Sequence, residues 1–356
     1  MSDASPGDSL LAAMTRSLQL EAAIEQTPER FRILTGDRPT GPLHVGHLFG
    51  TLANRVRLQD LGVELMVLIA DYQAITDRDA PASLPADVLG QVADYLAVGI
   101  DPERSTIFVH SHVEALNQLL LPFLSLVSVA EVARNPTVKE EFAVSGGSSM
   151  SALMFTYPVH QAADILFCHA NLVPVGKDQL PHLELTRTIA RRFNDRYSPE
   201  DVYFPQPEGL LSPAPLILGL DGTKMSKSRG NAISLRASED ETAHLIRAAK
   251  TDSERHISYE PEHRPEISNL ILLGALCLER RPEDLAQELG GAGAAGLKQL
   301  VTEALNERLR SVRQRRLELA GETGYLREVL TEGVLRACAI AEATLGDVRA
   351  LMHNTY

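Results

Sequence analysis

Thr35-Gly36-Asp37-Arg38-Pro39-Thr40-Gly41-Pro42-Leu43-His44-Val45-Gly46-His47 and, far downstream, Lys224-Met225-Ser226-Lys227-Ser228 hold the residue types that a polyphosphate needs around it. In the first run two imidazoles three positions apart can donate hydrogen bonds to a phosphoryl group, and Gly46 lets a base or phosphate approach the backbone closely. In isolation the same run also suits a Gly/Pro loop carrying two solvated histidines, or a metal pair. In the second run two lysines three apart, in a hydroxyl-rich loop opened by Asp221-Gly222, could close over a triphosphate. They would neutralise charge on a leaving pyrophosphate while Ser226 and Ser228 donate hydrogen bonds. A fixed five-residue string arises by chance in a chain this long about once in ten thousand.

Such groups act only where the backbone holds them. Phe31 to Thr35 is a short apolar run ending at Gly36, followed by Pro- and Gly-rich residues to Gly46 and by the helix-compatible Leu48 to Leu61. The first run therefore sits at a strand-to-helix turn, where ligands lie at the carboxyl ends of strands and a helix N-terminus offers free N–H groups. Glu64 to Ile69 and Ser105 to Val109 read as buried strands, with the helical Ala86 to Val98 between them. A strand returns at Asn171 to Val175, before the amphipathic Gln179 to Phe193. This alternation predicts an α/β fold: a Rossmann-like catalytic domain with a parallel sheet over residues 31–235. Asn117 to Phe167 reads as an inserted helical layer, broken by the Gly-rich Ser145 to Ser149. From Glu239 onward only helices are expected, making 236–356 a C-terminal all-helical domain. Residues 1–30 read as a partly flexible lead-in helix.

Composition narrows the function classes. The 356 residues carry 34 Lys+Arg against 47 Asp+Glu, a net charge of −13, which speaks against non-specific adhesion to polyphosphate or anionic lipid. Cys168, Cys277 and Cys338 lie far apart in apolar stretches, as expected of reduced, buried thiols in a cytoplasmic protein. No signal-peptide pattern or membrane-length apolar run is present, so no membrane association is expected.

Together the two runs resemble the HIGH and KMSKS signatures of class I aminoacyl-tRNA synthetases. Tyr157-Pro158 with Ala162-Ala163-Asp164-Ile165-Leu166, Val173-Pro174-Val175-Gly176-Lys177-Asp178-Gln179, His182 to Arg187 and Arg192-Phe193-Asn194 sharpen the likeness to the tryptophanyl family over the tyrosyl one. Thr251-Asp252-Ser253 and Ile267-Ser268-Asn269-Leu270 extend it into the helical region. The resemblance implies a two-step reaction: the carboxylate of L-tryptophan attacks the α-phosphorus of ATP, carried with Mg²⁺, and the acyl group then passes to tRNA(Trp). It implies His44, His47, Lys224 and Lys227 in catalysis, and no metal held by protein ligands. ATP contacts fall by likeness on Arg38, Pro39, Thr40, Gly46, His47, Gly176, Lys177, Asp178, Leu216, Lys224, Met225, Ser226, Lys227 and Ser228. Asp164 is expected to accept the indole N–H, Tyr157 and Gln179 to hold the amino group, and Leu34 and Val173 to wall the ring. The family also implies a homodimer whose C-terminal helices read the anticodon.

The chain departs from the family pattern where Arg38 stands for Gln, Gln73 for His, and His160-Gln161 for Leu-Met. Three of these four, Arg38, His160 and Gln161, bring new polarity or charge to the expected pocket, as if it accepted a ring-substituted tryptophan or resisted a tryptophan-like inhibitor; drift without consequence is the alternative. A synthetase-like protein with altered amino-acid preference, or one with a regulatory, protein-binding role, is the competing function. The run Arg308, Arg310, Arg313, Arg315, Arg316 reads either as a local positive patch for tRNA phosphates or as a solvated charged helix. The chain contains no Trp, which would let it be translated when charged tRNA(Trp) is scarce, unless chance explains it.

Overall fold

The computed structural model describes residues 6–75, 82–136, 138–139, 150–176, 179–211, 217–226 and 229–356. Five strands, β1 (Arg32–Asp37), β2 (Glu64–Ile69), β3 (Ser105–Val109), β4 (Leu172–Val175) and β5 (Glu208–Leu211), form one sheet in the order β3-β2-β1-β4-β5. Every pair is parallel. Strands covered on both faces need near-continuous apolar runs, and Leu65 to Ile69 is buried throughout. Order reverses between β1 and β4, so their carboxyl ends open a crevice, the usual ligand position in a doubly wound sheet. The expected Rossmann-like fold is therefore present. Strand β5 was not foreseen, because prolines at 205, 207, 213 and 215 bracket it and mask a four-residue strand as loop.

After α1 (Pro6–Gln26), the chain leaves β1 into α2 (Val45–His47), a π-helical turn (Leu48–Leu52) and α3 (Ala53–Leu61). Helix α4 (Leu84–Val98) links β2 to β3. The helical insertion consists of α5 (Glu114–Gln118), α6 (Leu120–Leu124), α7 (Val129–Ala133) and α8 (Ala152–Leu166); its expected Gly-rich loop lies outside the described residues. Helix α9 (Leu180–Tyr197) joins β4 to β5. The remainder is α10 (Glu239–Ala248), α11 (Pro265–Leu278), α12 (Pro282–Leu289), α13 (Gly293–Ala320) and α14 (Thr323–Leu351).

Residues 236–356 are all helical, yet they do not form a core of their own. Helix α13 packs on α4, and α14 returns to the sheet edge beside β3 and α5. Ala337, Ala341, Leu345 and Val348 of α14 share one apolar cluster with Phe108 and Phe167, and Thr344 Oγ1 donates to the Phe167 carbonyl at 2.7 Å. The part of the lead-in next to β1 docks on the domain: Leu20 and Ile24 enter the core, and Ser17 Oγ accepts from Leu211 N of β5 at 3.0 Å. Cys168 is buried as expected, whereas Cys277 and Cys338 are only half-buried; all three are free thiols.

Candidate active site

The turn after β1 holds its two histidines by mutual capping. His44 is the N-cap of α2, its side chain accepting from the His47 N–H while His47 Nδ1 accepts from His44 N at 3.2 Å. The ring centroids lie 3.8 Å apart. Reciprocal capping satisfies donors that a helix start leaves open and fixes both rings at the strand's carboxyl end.

The second run is anchored to this turn by backbone pairing. Val45 N donates to Ile233 O and Leu235 N to Leu43 O, both at 2.9 Å, so the segment leaving the lysine loop runs antiparallel to the residues entering the histidine turn. Two asparagines peg the loop. Asn231 accepts from Ser226 N at 2.8 Å and donates to Asp221 and to the Lys224 carbonyl; Asn269 of α11 pairs both ways with Leu218. Met225 is buried and packs on Gly46, while Lys224 is exposed and its stem can swing. Lys227 and Ser228 lie outside the described residues.

Between β1 and β4 lies a cavity of about 450 Å³. Ser151 caps α8 by accepting from Met154 N, and the helical period then turns Tyr157, Gln161 and Asp164 toward one side, where all three line the cavity. Leu34, Val173, Gln73 and Gln179 complete the set expected at the amino-acid end. Asp164 is 3 % exposed, with Oδ1 at 3.0 Å from His110 Nε2 and Oδ2 at 3.5 Å from Gln73 Nε2. His110 Nδ1 meets Gln73 Oε1 at 3.2 Å, and His160 Nε2 meets Asn117 Oδ1 at 2.8 Å. Burial alone would lower His110, but the Asp164 carboxylate outweighs it and raises the imidazole; burial lowers His160, with Asp164 only partly opposing. His110, His160 and Asp164 are close enough to suggest a cation site, but each already has a protein neighbour, and the group reads as a buried polar chain. Tyr157 OH sits 3.0 Å from His182 Nε2, whose Nδ1 meets Asn135 Nδ2 at 3.2 Å.

The sequence reading missed a second buried chain in the same wall. Arg55 Nη1 donates to Asp37 Oδ2 at 2.6 Å, Tyr95 OH donates to the same oxygen at 2.8 Å, and Gln91 Nε2 donates to Tyr95 OH at 2.8 Å. Burial would raise the Asp37 carboxyl, but the Arg55 guanidinium holds it down at about 2. An Arg at 2 % exposure on an expected surface helix gives no sequence signal except that α3 is too polar to be core. Asp37 and Arg55 both face the cavity.

Of the residues expected at ATP, Arg38 and Gly176 line the cavity, whereas Pro39, Thr40, Gly46, His47, Lys224, Met225 and Ser226 belong to the turn and loop, outside its lining. Lys177, Asp178 and Leu216 lie outside the described residues. The arginine run forms no open stripe. Arg308 pairs with Glu279, Arg310 with Glu307 and Arg315 with Glu318; Arg313 donates to the Ala237 carbonyl and Arg316 to Asp94. Only Arg313 and Arg316 serve the fold; Arg308, Arg310 and Arg315 stand in solvent beside exposed glutamates, Glu307 and Glu318 among them, as in the solvated charged helix that was the other expectation.

Residues 26–310 match the family model of class I tRNA synthetases (W and Y). The chain is 41 % identical over 339 residues to the tryptophan–tRNA ligase of Streptococcus pyogenes serotype M1, covering 91 % of this chain and 98 % of that one. The tryptophan–tRNA ligase of Lactococcus lactis subsp. lactis is 40 % identical over the same length, with the same coverage. Among solved structures, the tryptophanyl-tRNA synthetase of Campylobacter jejuni complexed with ADP and tryptophan superposes with a TM-score of 0.77 at 30 % identity, covering 91 % of this chain and all of that one.

Proposed function

The chain belongs to the tryptophan and tyrosine class I tRNA synthetases, and from that premise we infer how its cleft performs the reaction of a tryptophan–tRNA ligase. It activates L-tryptophan with ATP and passes the acyl group to tRNA(Trp). In the first step a tryptophan carboxylate oxygen bonds to the α-phosphorus of ATP as the bond to pyrophosphate breaks. No enzyme nucleophile is required; the protein aligns the reactants and offsets the negative charge that develops.

We propose that the indole ring enters between Leu34 and Val173 with its N–H donated to Asp164, and that Tyr157 and Gln179 hold the amino group, with Gln73 and Gln161 at the ring's rim. A phenylalanine side chain would close over the buried carboxylate without offering it a donor, which supplies discrimination. His44 and His47 with Gly46 take the phosphates at the turn, together with Arg38, Pro39, Thr40, Gly176, Lys177, Asp178 and Leu216. Lys224 and Lys227, with Met225, Ser226 and Ser228, close over the leaving pyrophosphate, whose Mg²⁺ arrives with the nucleotide. A cytoplasmic homodimer is proposed from family likeness. The observation that supports the reading best is spatial: Asp164, buried and lining the cavity, lies in the same crevice onto which the histidine turn opens, and that turn is zipped to the lysine loop.

Amino-acid-dependent exchange of pyrophosphate into ATP, run with tryptophan, tyrosine and phenylalanine and followed by charging of tRNA(Trp), tests it. Exchange and charging with tryptophan alone are expected; exchange with tyrosine instead, or none, would overturn the assignment.

A further inference from the structure

One buried carboxylate outside the cavity is shared by three parts of the molecule that the reaction must keep in register. Asp94, on α4 and 1 % exposed, accepts the backbone N–H of Leu43 at 3.2 Å, immediately before His44. It accepts Arg236 Nε and Nη2 at 3.1 and 3.0 Å, just beyond the strand-like segment that leaves the lysine loop. It also accepts Arg316 Nε at 2.8 Å from α13, in the helical region. The guanidinium crosses α4 close over Gly90, one turn before Asp94: a Cβ there would lie 2.5 Å from Arg236 Nη2 and would have to push it aside. Leu43 and Arg236 are also joined by the backbone pairing of residues 43–45 with 233–235.

We propose that Asp94 is a positioning residue, the joint through which helix α13 sets the separation of the histidine turn and the lysine loop. The inference rests on the synthetase reading, which gives both signatures their role at ATP. Two arginines and an amide on one desolvated carboxylate cannot move independently, because freeing any one leaves a buried charge underpaired. Movement of α13 relative to α4 therefore draws on Arg316 and is felt at Leu43 and Arg236. Tryptophan meets none of these groups, so the joint governs the nucleotide side of the site.

Four variants of the full chain test the joint: Arg316→Met and Arg236→Met, each alone and together, and Asp94→Asn. In pyrophosphate exchange, kcat is expected to fall on the order of tenfold in each single variant, with KM for tryptophan unchanged. The double Arg variant should lose clearly less than the product of the two single losses, since both arginines act on one carboxylate. Arg316→Lys, which keeps charge and a donor, should restore part of the rate. Hydrogen exchange supplies a readout independent of catalysis: in Arg316→Met the Val45 and Leu235 amides should exchange at least about tenfold faster while β1 and β2 keep their protection. Uniform loss of protection, or a tryptophan KM that moves with kcat, would reduce Asp94 to a general strut and overturn the proposal; so would multiplicative losses. Absence of exchange activity in the unaltered protein would overturn the synthetase reading, with the amide protection still deciding whether the joint exists.

Discussion

Met225 Sδ rests on Gly46 so closely that a Cβ at position 46 would lie 3.0 Å from the sulfur and 3.0 Å from the His44 ring. The two signatures, separated by most of the catalytic fold in sequence, thus meet at a contact where a methyl group would press the sulfur and the ring back by a few tenths of an ångström. Gly46→Ala should keep the fold but displace the lysine loop, lowering kcat/KM for ATP in pyrophosphate exchange by at least about tenfold. Adding Met225→Ala should recover part of the loss; no recovery would mean that the His44 ring alone carries the clash.

If Asp164 receives the indole N–H as proposed, the pair His110–Asp164 should make tryptophan recognition pH-dependent. An imidazole raised above its ordinary value by a carboxylate contributes fully below the ordinary value and loses that contribution as pH rises through the raised one. On the proposed role of Asp164 as acceptor for the indole N–H, the cation would steady that carboxylate, so KM for tryptophan should climb as pH rises beyond the ordinary imidazole range. In His110→Gln the climb should vanish. Asp164→Ala should cost on the order of 10- to 100-fold in KM at any pH, the worth of a hydrogen bond to a charged group. A profile identical in wild type and His110→Gln would remove His110 from recognition.

Acid should unfold the protein partly through Asp37. Its carboxyl is held at about 2 by Arg55, against an ordinary 3.8, so its contribution is fully present above 3.8 and is lost as pH falls through about 2. The difference is worth about 2 kcal/mol at neutral pH. Urea unfolding of wild type and Asp37→Asn should differ most near pH 7, where the variant also leaves Arg55 buried without its partner, and the gap should narrow below pH 3.8.

Gly333 marks how closely the last helix meets the sheet. A Cβ there would fall 1.8 Å from the Ile107 carbonyl oxygen of β3, a clash with backbone that no rotamer change relieves. Gly333→Ala should lower stability by about 1–3 kcal/mol or more, seen as a lower Tm, despite the higher helix propensity of alanine. An unchanged Tm would mean that α14 does not dock on β3.

The apolar runs carried the sheet: Glu64 to Ile69 and Ser105 to Val109 form strands with the bounds the sequence suggests, because parallel strands buried on both faces leave little ambiguity. The seven residues expected at tryptophan converge on one cavity because spacing in α8 and position within or just after β1, β2 and β4 are local properties. What was not legible depends on distant partners. His110 lies at the end of β3 and reaches Asp164 only through the sheet order; Arg55 looks like a surface residue until Asp37 and Tyr95 surround it. The arginine run divides for the same reason: Arg313 and Arg316 are drawn inward by the Ala237 carbonyl and Asp94 on other elements, while Arg308, Arg310 and Arg315 stay in solvent.

The departures from the family pattern now divide by where they point. Gln73 is occupied with His110 and Asp164, and His160 with Asn117, so their polarity is largely satisfied within the protein. Gln161 lines the cavity one helical turn before Asp164 and is the departure best placed to meet substituents on the indole ring. Gln161→Met should therefore alter the ratio of kcat/KM for ring-substituted over plain tryptophan by about 10-fold or less, the range set by one group in a pocket, and should favour plain tryptophan. His160→Leu should instead lower Tm, because it takes the hydrogen-bond partner from the Asn117 side-chain carbonyl, whose N–H groups stay tied to His110 O and Val113 O. If both variants keep the wild-type ratio, the polar substitutions reflect drift, and Asp164 with its apolar walls is the whole of tryptophan selection.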